Sequence, residues 1–223
     1  MQIPPEYTAE LDRWITRLDS GVSGAFAALP LEADQAARAA FVDQFTDEFG
    51  NRARTTEPFL RGLLNLTGEP ESAPVDLDER LWWRLCRGTQ VTPDLHDLYS
   101  PGPTLTPPSD EMAIEHWTQV ELCALHALWT MNQQSPDPGT TKRIRDAGVW
   151  IMHELQPDNA INRPWAIPVF VVLSMTLGDE SDRTMASMYA QTLLHNCSIT
   201  MGRPDILSSC ILLHSADMLR GIA

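Results

Sequence analysis

The chain has 223 residues, 16 Lys and Arg against 30 Asp and Glu, and a formal charge of -14. That length supports one large domain with a sizeable core and leaves little room for two full ones. Phosphate neutralisation needs clustered Lys and Arg, so the charge argues against a nucleic-acid partner and against an anionic membrane surface.

The first residues, MQIPPEYTAELDRW, carry neither a basic nor an apolar leader segment, so a cytoplasmic protein is expected. Helical periodicity dominates. It predicts helices over Tyr7–Leu18, Ala33–Phe49, Glu57–Leu66, Asp76–Cys86, Asp110–Asn132, Thr141–Leu155, Pro164–Leu177, Ser181–Asn196 and Pro204–Arg220, with no competing strand pattern. Ser109 is placed to cap one start, and Pro204 with Asp205 opens the last helix.

The adjacent Trp82 and Trp83 differ by about 100° on a helix, so one is expected in the core and the other at a contact outside it. A polar, proline-bearing stretch at 88–109 is read as a linker between an N-terminal helical subdomain, 1–87, and a C-terminal domain of helix pairs, 110–223. The run Trp165 to Leu177 is too short for a membrane span and reads as a buried core helix. The four cysteines, Cys86, Cys123, Cys197 and Cys210, are far apart and form no CxxC pair, as expected of reduced, packed thiols.

In the C-terminal half, helix starts near 110, 141, 164, 181 and 204 suggest antiparallel pairs, as in helical-repeat proteins. The two most alike segments are CALH at Cys123–His126 and CILLH at Cys210–His214. The fold class expected is therefore all-α, built from antiparallel helix pairs.

The most specified segment is AGVWIMHELQPDNAINRPW, Ala147 to Trp165: a helix with Trp150 and His153 running into a loop with Gln156, Asp158, Asn159, Asn162, Arg163 and Trp165. Through Trp150, Gln156, Asp158 and Trp165 it resembles one degenerate copy of the glutamine-tryptophan repeat of the terpenoid cyclase and protein prenyltransferase superfamily. That resemblance implies a partial or decorated α/α toroid in which such loops brace helix ends. It carries architecture and no activity, because the acidic cyclase motif and the prenyltransferase zinc set are missing and Asn159 stands where the family has Gly.

Candidate chemistry lies on three helical faces. Asp146, Trp150 and His153 share one, a carboxylate and an imidazole flanking an indole, although i and i+7 are roughly 10 Å apart along the axis. His126 shares another with Gln119, Leu122 and Trp129, and the bland reading is a histidine bonded at a helix interface. His214 shares the third with Leu207, Cys210, Ile211 and Met218, so it is expected to point at the core. His195, Cys197, Cys210 and His214 match no zinc spacing, so no metal is assigned. His96 and His116 carry no signal.

Asp158, Asn159, Asn162 and Arg163 suit a polar ligand or, as the favoured reading, a self-braced loop. No Walker, GxGxxG, HExxH or GxSxG motif is present, so no cofactor is assigned. Two functions fit. The first is a non-catalytic helical scaffold that binds a protein partner or its own copy. The second is an enzyme or small-molecule binder whose pocket is lined by Trp129, Trp150, His126 and His153, with Asp158 and Arg163 at its mouth.

Overall fold

The structure, a computed structural model, describes residues 3–22, 29–66, 70, 73–88, 100–108, 111–158 and 160–222. Among them are nine α-helices and no strand: α1 (Thr8–Val22), α2 (Gln35–Gln44), α3 (Thr56–Leu63), α4 (Leu77–Cys86), α5 (Ile114–Gln134), α6 (Pro138–Glu154), α7 (Ile167–Thr176), α8 (Glu180–Ile199) and α9 (Ile206–Arg220). The all-α class is therefore as the periodicity predicts. No helix among the described residues is long and apolar enough to cross a membrane.

Helix α7 is central. Every residue from Ile167 to Met175 is buried, which an unbroken apolar segment permits only when neighbours cover it on all sides. Helix α8 packs along it, and α5, α6 and α9 also touch it. Gly148 of α6 is where that helix approaches most closely, since a Cβ there would sit 2.7 Å from Leu173 Cδ1.

The two expected pieces share one core. Helix α1 packs on α9, α4 packs on α5, and a single cluster of buried side chains runs from Leu11 to Leu219. The described part of the connection, 100–108, is bound to the helices on either side of it. The fully buried Glu121 carboxylate of α5 accepts from the Leu105 and Thr106 N–H groups and from Thr106 Oγ1, at 2.5, 2.7 and 2.6 Å. Arg143 of α6 donates to the carbonyls of Ser100, Gly102 and Thr104. Burial pushes the Glu121 pKa up, while its hydrogen bonds and the Arg143 charge oppose the shift.

Several ends differ from the sequence reading for local reasons. Helix α2 stops at Gln44 instead of Phe49 because Phe45 turns extended, which frees Asp47 to accept from the Phe49 and Asn51 N–H groups. The last helix opens as expected, with Asp205 accepting from Ser208 N–H. The cap expected at Ser109 lies outside the described residues.

Candidate functional site

Two long-range pairings gather the polar side chains that matter. The first is centred on His126 and His214. His126, on α5, has no solvent exposure, and its Nδ1 lies 3.0 Å from the backbone nitrogen of Ala166. A backbone N–H can only donate, so Nδ1 is the lone-pair nitrogen and the proton of neutral His126 sits on Nε2. That Nε2 is 3.0 Å from His214 Nδ1 on α9. His214 Nδ1 must then accept, which leaves His214 with its own proton on Nε2.

The pair is thus a chain of fixed direction: Ala166 N–H to His126, His126 N–H to His214, and one N–H left over. Charging either ring would set donor against donor. Burial pushes both rings the same way, His126 well below its ordinary value with His214 adding to the effect, and His214 down to about 4. Both are neutral at physiological pH.

Ala166 aims its N–H by adopting φ 59° and ψ 9°, a left-handed conformation rare for a residue with a Cβ. It sits between Trp165 and the first turn of α7, and its carbonyl receives the Val169 and Phe170 N–H groups, so the helix start holds it there.

Aromatic rings enclose the pair. Phe59 of α3 stands edge-on to Trp82, Trp165 and His214 at 5.0, 5.0 and 5.6 Å between centroids, and Trp165 stands edge-on to His126 at 5.4 Å. Trp82 packs 5.7 Å from His214, and its indole N–H reaches Cys123 Sγ at 3.3 Å. Behind that thiol lies Asp78, buried in the first turn of α4, where burial pushes its carboxyl up to about 7. Trp83 turns outward and stacks under the Arg87 guanidinium, as adjacent helical positions require.

His214 and Trp82 form the inner wall of a cavity of about 300 Å³. The last turns of α3, α4 and α5 supply the rest, with Leu63, Leu66 and Leu85 as apolar walls and Arg61, Cys86 and Thr130 among the polar ones. The His214 Nε2–H is the donor that the pair leaves for this cavity. A larger hollow of about 460 Å³ opens at the start of α6, but Pro136, Pro138, Lys142 and Arg145 there are all exposed and no buried polar group is aimed into it.

The second pairing is centred on Arg163. Its guanidinium, 13% exposed, meets Asp47 at 2.8 Å and Asp205 at hydrogen-bond contact, with Ser208 Oγ at 3.3 Å. The surrounding loop is tied down further. Gln119 donates to the Ala160 carbonyl and to Asn162 Oδ1, and Asn196 donates to the carbonyls of Pro157 and Asp158. Asp158 itself is exposed and accepts only from Ala160 N–H two residues on, so it is neither a helix cap nor the partner of Arg163. Gln156 is exposed, and Asn159 lies outside the described residues.

The pocket expected from Trp129, Trp150, His126 and His153 is not assembled as drawn. His126 is sealed in the core, whereas His153 is exposed and pairs with Asp182 of α8 at 3.0 Å. Asp146, also exposed, pairs with Lys142 one turn before it, so two turns of α6 keep it from His153. Trp150 is half-buried edge-on to Trp117 at 6.2 Å. Trp129 is fully buried, its indole nitrogen without a hydrogen-bond partner among the described residues. Trp165 alone of the loop residues reaches the histidine pair.

The soft-ligand set does not gather either: His195 is exposed, Cys197 points to the Leu194 carbonyl, and no group of three potential ligands occurs among the described residues. All four cysteines are free. No family model matches the chain, and no curated protein and no solved structure matches it.

Proposed function

We propose that this protein is a helical small-molecule-binding module whose site is the cavity walled by His214 and Trp82. The observation that supports it is the directed hydrogen-bond chain that begins at a strained backbone N–H and ends on a cavity-facing donor. A histidine pair serving packing alone would leave no donor facing a hollow, since the interior normally closes on its polar groups. A volume near 300 Å³ is at the small end of ligand sites and has the usual make-up of apolar walls with a few placed polar groups.

Gly62 tests the reading. It lines the cavity, and a side chain added there meets nothing within 4 Å, so Gly62→Leu narrows the space without disturbing the core. Fragment screening by protein-detected NMR is expected to shift resonances of Trp82, Leu63 and His214, and Gly62→Leu is expected to abolish those shifts. Hits that bind elsewhere, or equally well to the variant, would overturn the proposal.

A second reading, docking of a protein partner or a second copy, is favoured by a different surface. Phe49 and Met201 share a hollow beside Arg203 and are 58% and 39% exposed, and Ile199 at the end of α8 is 41% exposed. Contiguous exposed apolar side chains of this kind mark contact sites. Sedimentation velocity across a concentration series is expected to show association that Phe49→Asp removes; a concentration-independent monomer that also captures no partner would end this reading.

A further inference from the structure

The chemical class of the ligand follows from what the same cavity offers, and this inference rests on the binding function just proposed. Among the described residues its lining holds no carboxylate, although acidic residues outnumber basic ones nearly two to one in the chain. An ammonium group entering it would face the His214 Nε2–H, a donor, with no anion to receive it, and would lose its hydration uncompensated. The carbonyls at the end of α3 offer little in exchange. Arg61 and Gly62 carbonyls accept from Leu66 and Asn65 N–H, and Leu64 carbonyl accepts from the Arg38 guanidinium.

An anion fares poorly for the opposite reason. The single charged residue of the described lining is Arg61, and its guanidinium already lies 3.0 Å from Glu57 and 3.9 Å from Asp43. Three helices, α3, α4 and α5, present their C-terminal turns to the cavity, and their dipoles carry partial negative charge at that end. A carboxylate would enter against those dipoles with no unspent cation to hold it. The Thr130 hydroxyl is no substitute donor, because its proton goes to the His126 carbonyl at 2.9 Å.

What remains is an uncharged acceptor. We propose that the site takes a small, mostly apolar molecule bearing one neutral carbonyl oxygen, such as an amide, lactone or ketone. Its oxygen accepts from His214 Nε2–H while its apolar body lies against Trp82, Leu63 and Leu85. The His126–His214 chain makes the donor permanent: with His126 Nδ1 committed to Ala166 N–H, His214 cannot turn its lone pair toward the ligand without breaking the pair.

A probe series of matched shape separates the classes. Protein labelled with ¹⁵N at histidine is titrated with cyclohexyl methyl ketone, cyclohexanecarboxylate, cyclohexylmethylamine and toluene, reading His214 Nε2–H and the Trp82 indole. The ketone is expected to saturate with a downfield shift of His214 Nε2–H, at least tenfold tighter than the carboxylate or the amine, and to lose that binding in Gly62→Leu. Carboxylate or amine matching the ketone, while toluene still shifts Trp82, would overturn the ligand class and leave the binding site standing. If no probe, toluene included, perturbs either residue, the binding function fails with it.

Discussion

Arg163 sits where a charge is tolerated only because two carboxylates answer it. Asp47 comes from the loop after α2 and Asp205 from the start of α9, so one guanidinium ties the 156–165 loop to two distant segments. Removing one member of such a group leaves the others buried and uncompensated, which costs about 3–5 kcal/mol, far more than an exposed pair would lose. Arg163→Met is therefore expected to lower unfolding stability by about that amount in urea titration, while Lys142→Met, which breaks an exposed pair with Asp146, changes it by less than about 1 kcal/mol. Equal small effects would show that the Arg163 group is not a structural brace. The sequence marks this residue by its loop, but its partners lie 116 and 42 positions away and nothing local names them.

At the level of elements, the histidine pair shows what periodicity reveals and what it hides. It places His126 and His214 on apolar stripes of α5 and α9, and the segments CALH and CILLH stand out as the most alike in the chain. Their meeting across 88 residues is a product of packing: α3 brings Phe59 between them and Trp165 closes the side. The connection 100–108 teaches a similar lesson. Its Pro and Gly content reads as a linker, yet Glu121, which reads as an ordinary helical residue, collects three of its donors.

Glu121→Gln replaces two acceptor oxygens with one. Hydrogen exchange at the Leu105 and Thr106 amides is expected to accelerate at least tenfold without a matching loss of global protection. Unchanged exchange there would mean that Arg143 alone holds the segment. Helix α3 ends by a comparable local device. Asn65 takes φ 52° and lets Leu66 N–H close on the Arg61 carbonyl. Asn65→Gly is expected to be neutral or slightly stabilising in thermal melts, whereas Asn65→Val, branched at Cβ, costs about 1–2 kcal/mol.

Over the whole molecule, two buried groups set stability against pH in opposite directions. His214, held at about 4 in the fold against an ordinary 6.5, refuses protons that the unfolded chain accepts, so its contribution declines as pH falls from 6.5 toward 4. His126, also lowered, acts in the same sense. Asp78, raised from 3.8 to about 7, binds its proton first in the fold, so stability from this group grows as pH falls from 7 toward 4 and is lost as pH rises through 7.

The terms oppose each other across the same window. Asp78→Asn keeps the shape of the neutral acid and removes its titration. The variant is expected to lose about 2 kcal/mol more than the parent between pH 7 and pH 5 in urea unfolding. Parallel pH profiles would show that Asp78 is ionised in the fold.

The sequence by itself determined the class of this protein. Nine apolar stripes of helical period, turn residues between them and the absence of alternation leave only an all-helical core, because burial of one face is a local property of each segment. It also determined that α7 lies innermost, since a segment apolar on every side must be covered on every side. Tertiary structure alone decided which polar side chains meet. His126 and His214, Arg163 and its two carboxylates, and Glu121 with its loop are pairs whose energy exists only when distant segments are brought together in a water-poor interior. No spacing along the chain encodes that distance, and the direction of the histidine chain depends on a single backbone N–H turned by the fold.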